Sequence, residues 1–430
     1  MRPAPEGDTS AAIPKLGFAH RTFASFRSRN FRLFFGGQTI SQVGNWLTIV
    51  ALTLLILHRT GSGVSVGLLS ACQFGPTLVL SAWAGVLVDR YDKRTLRANT
   101  QALEMVPSYA LAALAFVPHA PLAAFYGVAV VGGCLFAVES PVRRSLVNEL
   151  VPVEDLPNAV TLYSAMNNLA RVGGPALAGL LILFVGYGWC FTIDALSYFV
   201  VLAALGMMRA SELRRVQVTP RAAGQIRAGL RYITGVPDLW ITFVMLLVVG
   251  TISYNFIVVF PLFIEKSLHG GDGAYTLVYS AFSFGGFVGA LVLARRTTVS
   301  IRSVAVGSAA LGVTSVAMAL VPNVVSAVVL AVAVGAASVA YMTSTTAIAQ
   351  LRADRNMIGR VLAIQTVLIV GTTPFGSLLM GAIADSVGAR APLVIGGIAA
   401  LAAAIFGVLA ARRSDARGAP TLHDRHPGAR

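Results

Sequence analysis

Charged residues inside apolar runs are few in this chain, and they bound the chemistry available to it. Glu104 falls in the run 98–117, Arg171 in 156–185 and Asp194 in 189–208. An ion inside a hydrocarbon layer costs about 2.5 to 3.5 kcal/mol even on insertion scales, so it faces a partner or a wet cavity. A guanidinium stays protonated in proteins, so Arg171 can only hold or release an acid whose proton affinity changes with its surroundings. That makes Asp194 and Glu104 the candidate proton carriers. Asp194 comes first, because its run adjoins the side from which protons enter. The competing readings are a packing ion pair for Arg171 and packing or snorkelling roles for the two acids. Gln38, Gln42 and Asn45, with Tyr254, Asn255 and Tyr341 further on, are polar enough to line a pathway. Polar side chains in membranes also simply hydrogen-bond between helices. The six His show no paired metal spacing, and no phosphate-binding loop is present. Cys72, Cys134 and Cys190 all lie in apolar runs and read as packing residues. No catalytic residue, metal or cofactor is expected.

The elements that must position these residues follow from composition. Of the 430 residues 56% are hydrophobic and 12% charged, and the mean hydropathy is +0.74, values foreign to a soluble domain. A hydrocarbon core about 30 Å thick takes about 20 apolar residues per helical crossing. Apolar runs of that order occupy 31–57, 64–88, 98–117, 122–138, 156–185, 189–208, 239–264, 274–294, 304–321, 324–349, 357–384 and 392–411. The fold expected is an all-α polytopic membrane protein with twelve crossings.

An internal repeat divides those crossings into two pseudo-symmetric six-helix bundles. Ser70-Ala71 and Phe74-Gly75 recur as Ser280-Ala281 and Phe284-Gly285, Asn45 recurs as Asn255 at the same offset, and Pro175 lies opposite Pro374. The division reads as a basic tail at 1–30, bundles at 31–208 and 239–411, a linker at 209–238 and a tail at 412–430. Apart from Arg59, Lys266, Arg390 and Arg171, every one of the 33 Lys and Arg falls in alternate segments that include both chain ends. Those ends are therefore expected in the cytoplasm. Such scattered cations argue against nucleic acid as a partner and suit anionic lipid heads. The first 30 residues carry no apolar stretch ending in a small-residue cleavage site, so no signal peptide is read. Only Lys15, Lys93 and Lys266 are Lys, which with the abundant Ala suggests a GC-rich bacterial genome.

One stretch, Gly85-Val-Leu-Val-Asp89-Arg90-Tyr-Asp92-Lys93-Arg94, joins an apolar run to a cluster of ions. Gly85 allows close helix approach, and Asp89 suits the free N–H groups at the start of another helix. Arg90 and Arg94 are placed to reach Glu139, forming a latch; the plainer alternative is a topogenic loop. The stretch resembles the loop between the second and third helices of the major facilitator superfamily, G-x-x-x-D-R/K-x-G-R-R/K. It departs from that pattern at Asp92, where the family has Gly, and at Thr95, where it has a cation. Ser140-Pro141-Val-Arg143-Arg144 and Arg171-Val-Gly173-Gly174-Pro175-Ala-Leu-Ala-Gly179 are similar to stretches of the branch holding siderophore, macrolide and other drug exporters. The second of these resembles the antiporter motif of the fifth helix, with Ala178 in place of a Gly. The resemblance implies a gating role for Gly85, Asp89, Arg90, Lys93, Arg94 and Glu139, with Asp89 at the start of the eleventh helix. It also implies a monomer in the bacterial inner membrane that exports a hydrophobic small molecule in exchange for protons by alternating access. The absence of an Arg in the middle of the fourth run departs from many proton-coupled exporters. Uptake by the same fold is the alternative, and a membrane enzyme or lipid-handling protein a remote one.

The topology has a direct check. In a cysteine-free background, cysteines at Ser62, His119 or Asp272 are expected to react with an impermeant thiol reagent from outside the cell, and ones at Thr95 or Gln217 to stay unlabelled. Labelling on the reverse faces contradicts the assignment.

Overall fold

The computed structural model describes residues 23–214, 225–294, 299–354 and 356–416, which are helical with no strand among them. The first half contains α1 (Arg29–Thr60), α2 (Gly63–Arg90), α3 (Lys93–Phe116), α4 (Leu122–Leu150), α5 (Leu156–Val185) and α6 (Tyr187–Met207). A short helix, α7 (Gln225–Gly235), lies in the link. In the second half α8 (Pro237–Val248) and α9 (Phe256–Leu268) share one crossing, followed by α10 (Asp272–Ala294), α11 (Ile301–Leu320) and α12 (Val324–Arg352). The next crossing is split into α13 (Ile358–Gly371) and α14 (Thr373–Ser386), and α15 (Ala391–Ala416) completes the set.

Eleven crossings among the described residues are long and apolar enough to span a membrane on composition alone. The twelfth, α3, falls short because its 24 residues include Lys93, Arg94, Arg97 and Glu104. It nevertheless packs along both α4 and α6. Its polar face, with Lys93, Arg97, Thr100, Gln101 and Ser108 buried, turns into the bundle and leaves apolar Leu103 and Val106 outside. A helix in lipid sorts its faces this way because an ion is tolerated only against a partner.

The packing repeats between the halves. α2 lies on α4, α3 on α4 and α6, and α1 on α6, as α10 lies on α12, α11 on α12 and α15, and α8 on α15. The halves meet along two seams, α2 with α14 and α5 with α10. An even number of crossings brings the chain ends to one face, the basic end; the opposite face is the far end.

Two crossings depart from the expected straight runs. Between α8 and α9 a π turn at Val249–Ser253 interrupts the ladder and places Tyr254 and Asn255 in the break. The Asn255 amide nitrogen takes over an orphaned acceptor, donating to the Thr251 carbonyl at 2.7 Å. Between α13 and α14, Pro374 lacks the N–H that continuity would need.

Two boundaries shift with consequence. α3 begins at Lys93, not 98, with Asp92 as its N-cap accepting from the Thr95 N–H at 2.9 Å. α4 continues to Leu150, not 138. Hydropathy falls at both places, but the ions there are paired inside the bundle, so helix outlasts the apolar run. Lys93, Arg97 and Arg143 are accordingly buried residues and not loop cations.

Candidate functional site

The inward face of α3 organises a buried charged cluster in the first half. Arg97, only 1% exposed, pairs with Glu139 of α4 and faces Glu104 at 3.9 Å. Arg143, one turn beyond Glu139 on α4, holds the same carboxylate at 3.4 Å. α1 completes the ring: Gln38 accepts from Arg97 at 3.1 Å, and Gln42 accepts from Arg143 at 2.7 Å while donating to Asn167 of α5 at 2.7 Å. The spacing accounts for the assembly, since Gln38/Gln42, Arg97/Gln101 and Glu139/Arg143 are each four apart and share a helix face. Two guanidiniums face two carboxylates, the pairing under which buried ions persist. Below it, toward the basic end, Lys93 pairs with Glu149, again within the bundle.

Further along α3, Ser108 donates to Asp194 of α6 at 3.0 Å, and Thr48 of α1 donates to the same oxygen at 2.8 Å. Asp194 is 1% exposed and closely packed, a Cβ on Gly44 lying 2.7 Å from its Oδ1. From Lys93 to Ser108 the polar column follows about 22 Å of helix axis. Asp194 and Glu104, the two candidate carriers, thus share one polar column in the first half.

Several expected contacts are replaced. Arg94 does not reach Glu139; it donates to the Leu205 and Gly206 carbonyls at 2.8 and 3.1 Å, capping the end of α6. Arg90 is exposed, and Glu139 belongs to Arg97 and Arg143. The latch is therefore a cluster internal to the first half. The side chains of Gly85 and Asp89 lie outside the described residues. Gln38 and Gln42 are buried in the cluster, and Tyr341 is fully buried against Gly307, so these three line no cavity.

At the far end an unforeseen carboxylate joins the halves. Asp385, at the end of α14, accepts from the Gly63 and Val64 N–H groups at 2.7 and 2.9 Å and from the Ser62 hydroxyl at 2.7 Å. It therefore sits on the free N–H groups at the start of α2, where the helix dipole favours an anion, and Lys266 of α9 pairs with it at 2.9 Å. A Cβ on Gly381 would come within 2.6 Å of the Gly63 carbonyl carbon, so this approach requires glycine. Deeper in the seam Ser70 and Ser377 share a 2.9 Å hydrogen bond. On the other side Asp272 of α10 accepts from Tyr187 at 2.6 Å and lies 3.1 Å from His58 of α1. The sequence does hold a signal for Asp385: Gly381-x-x-x-Asp385 repeats the spacing of Gly85-x-x-x-Asp89.

Where α1 meets α10 lies an aromatic cluster. The Trp46 ring on α1 stands 5.8 Å from Tyr279 of α10, which continues into Tyr275, Phe282, Phe260 and Phe256. Arg171, at the midpoint of α5, sits 5.8 Å over the Trp46 ring and pairs with neither Asp194 nor Glu104. Gly174, one turn on, lets that ring press against α5, since a Cβ there would collide with Trp46. A cation–π contact gives about 0.5 to 2 kcal/mol, less than the cost of about 2.5 to 3.5 for a cation at this depth. The remainder falls to water or ligand, and Arg171 is exposed. Asn45 and Tyr254 are half-buried.

Comparison with known proteins agrees with this architecture. A family model described as "Transmembrane secretion effector" matches residues 20–426. The staphyloferrin A transporter of Staphylococcus aureus is 25% identical over 382 residues, 86% of this chain and 93% of that protein. The multidrug efflux pump Tap of Mycobacterium tuberculosis is 27% identical over 399 residues, covering 84% and 90%. Macrolide efflux protein A of Streptococcus pyogenes is 22% identical over 386 residues, covering 87% and 94%. Among solved structures, a POT family transporter in complex with 5-aminolevulinic acid superposes with a TM-score of 0.73 at 10% identity, over 90% of this chain and 96% of that one. A bacterial homologue of the human lysosomal transporter Spinster, inward-facing and occupied, gives 0.70 at 15% identity, over 94% and 99%.

Removing one acid from the cluster has a calculable consequence. Glu139→Gln leaves Arg97 and Arg143 buried with a charge uncompensated, which costs about 3 to 5 kcal/mol. Thermal unfolding of the purified protein is expected at a clearly lower Tm, with part of the loss recovered in Glu139→Gln/Arg143→Gln. An unchanged Tm for the single variant contradicts the pairing.

Proposed function

The chain belongs to the transmembrane secretion effector family of major facilitator superfamily transporters, and we propose that it exports a hydrophobic small molecule across the bacterial inner membrane in exchange for protons. The observation that carries this reading is the lock at the far end, where Asp385 seats on the start of α2 while the cation Arg171 stays exposed at mid-depth on the inner face of α5. Two halves locked at one end suit alternating access. With both chain ends in the cytoplasm, as the cation distribution favours, the far end is external. Export is supported by the efflux pumps among the relatives, and a single chain holds both halves that alternating access needs.

Proton exchange is assigned to the polar column. Asp194 and Glu104 are carboxylates at membrane depth, and an acid there alternates between charged and neutral as its surroundings open and close. The two acids sit in different company: Glu104 faces Arg97, whereas Asp194 is held by hydroxyls alone. Asp194 is the carrier in this scheme, because no fixed cation opposes its protonation. Arg171, placed away from both acids, has no part in it.

Inside-out membrane vesicles with an acidic lumen test the scheme, using a panel of anionic, neutral and cationic fluorescent lipophiles. At least one probe is expected to accumulate in the lumen and to leak out when the gradient is collapsed. Asp194→Asn should reduce gradient-driven accumulation at least tenfold while probe binding stays within about twofold. Accumulation that ignores the gradient contradicts proton exchange, and gradient-driven loss from the lumen means uptake.

A further inference from the structure

The position of Arg171 narrows the class of substrate. It lies about 22 Å along α5 from the basic end, half the length of that helix. It shares a face with Gly174, the face that meets Trp46, and it is exposed. An inner-face residue at mid-depth is exposed to the space between the halves, not to lipid. No carboxylate among the described residues pairs with it. In the first half Glu139 and Glu104 face Arg97, Glu149 pairs with Lys93, and Asp194 is held by Thr48 and Ser108. In the second half Asp238 pairs with Arg352, Asp385 with Lys266, and Asp272 with His58. The guanidinium lies over the face of Trp46, and Tyr279 stands beyond that ring.

We propose that the space between the halves binds a ligand that joins an anionic group to a flat aromatic or conjugated body, with the anion on Arg171 and the body against Trp46 and Tyr279. This rests on the transport reading above and names a substrate class for it. A carboxylate or sulfonate supplies the counter-charge that the protein withholds from Arg171, and the paired donors of a guanidinium match its oxygens. Trp46 and Tyr279 provide the stacking surface. A cation meets the fixed charge of Arg171 with no nearby acid to offset it, and a neutral ligand gains nothing from that charge. The order of preference is anion, then neutral, then cation.

Three probes with one body separate these classes: 1-pyrenebutyrate, 1-pyrenebutanamide and 4-(1-pyrenyl)butylammonium. Each is titrated into the full chain in nanodiscs of neutral lipid, and binding is read as energy transfer from tryptophan to pyrene. The butyrate is expected to bind at least tenfold more tightly than the amide, and the ammonium more weakly than either. Arg171→Gln should bring the butyrate to the level of the amide while leaving the amide unchanged, and Arg171→Lys should restore part of the preference. Trp46→Ala should weaken butyrate and amide alike. Equal binding of the three, or a preference that survives Arg171→Gln, overturns the substrate class; if that binding still needs Trp46, the cleft stands as a binding site and the transport reading with it. Binding of no probe above the Trp46→Ala background overturns the substrate class and the cleft together. Transport of a panel member in the vesicle assay shows separately whether the transport reading survives.

Discussion

A carboxylate on a helix start holds the two halves together at the far end. Asp385 takes two backbone N–H groups and a hydroxyl at the beginning of α2 and the Lys266 ammonium of α9. An anion there satisfies donors that a helix cannot satisfy itself and lies along the favourable direction of its dipole. The contact is charge-assisted, so it is strong while made, and it can be broken without unfolding either helix. The same two crossings carry a second acid with the same spacing from a glycine: Asp89 ends α2 as Asp385 ends α14. α13 also packs against α2.

The halves are built differently behind that seam. The first half buries its ions in a cluster and column along α3, and Arg97–Glu139, Arg97–Gln38 and Ser108 and Thr48 on Asp194 cross between helices, so α1, α3, α4 and α6 are tied together by polar contacts. Such a unit resists internal rearrangement because separating any pair strands an ion in a low-dielectric interior. The second half has apolar and aromatic packing, a π turn in one crossing and a proline break in another. Breaks of that kind are tolerated at membrane depth only where the backbone lies within protein or along a wet cavity. A charge-tied half thus packs against a half held by apolar and aromatic contacts.

Much of the fold was legible in the sequence, because hydrocarbon thickness dictates run length and cation asymmetry marks every other loop. The failures share one cause. Hydropathy reads an ion as an exit from the membrane, so α3 was started late and α4 ended early, and Arg97 and Arg143 passed for loop cations. What decides their place is pairing across helices, which no window along one chain can see. The partners of Glu139 differ from those expected: Arg90 and Arg94 are near in sequence, whereas Arg97 lies one helical turn further, on the inward face. Arg171 was placed near mid-depth, but the acids assumed to accompany it are engaged elsewhere. Asp385 falls one residue beyond the run 357–384, so hydropathy does not mark it although its glycine spacing repeats that of Asp89.

The central claim is that the charge of Asp385 on the start of α2 keeps the far end closed. Spin labels at Val64 and Val387, both exposed, report the separation of α2 and α14 there by pulsed dipolar spectroscopy. The account predicts one short-distance population in the otherwise unaltered protein and a shift toward a longer one in Asp385→Asn, which keeps the shape and removes the charge. Identical distance distributions for the two proteins contradict it.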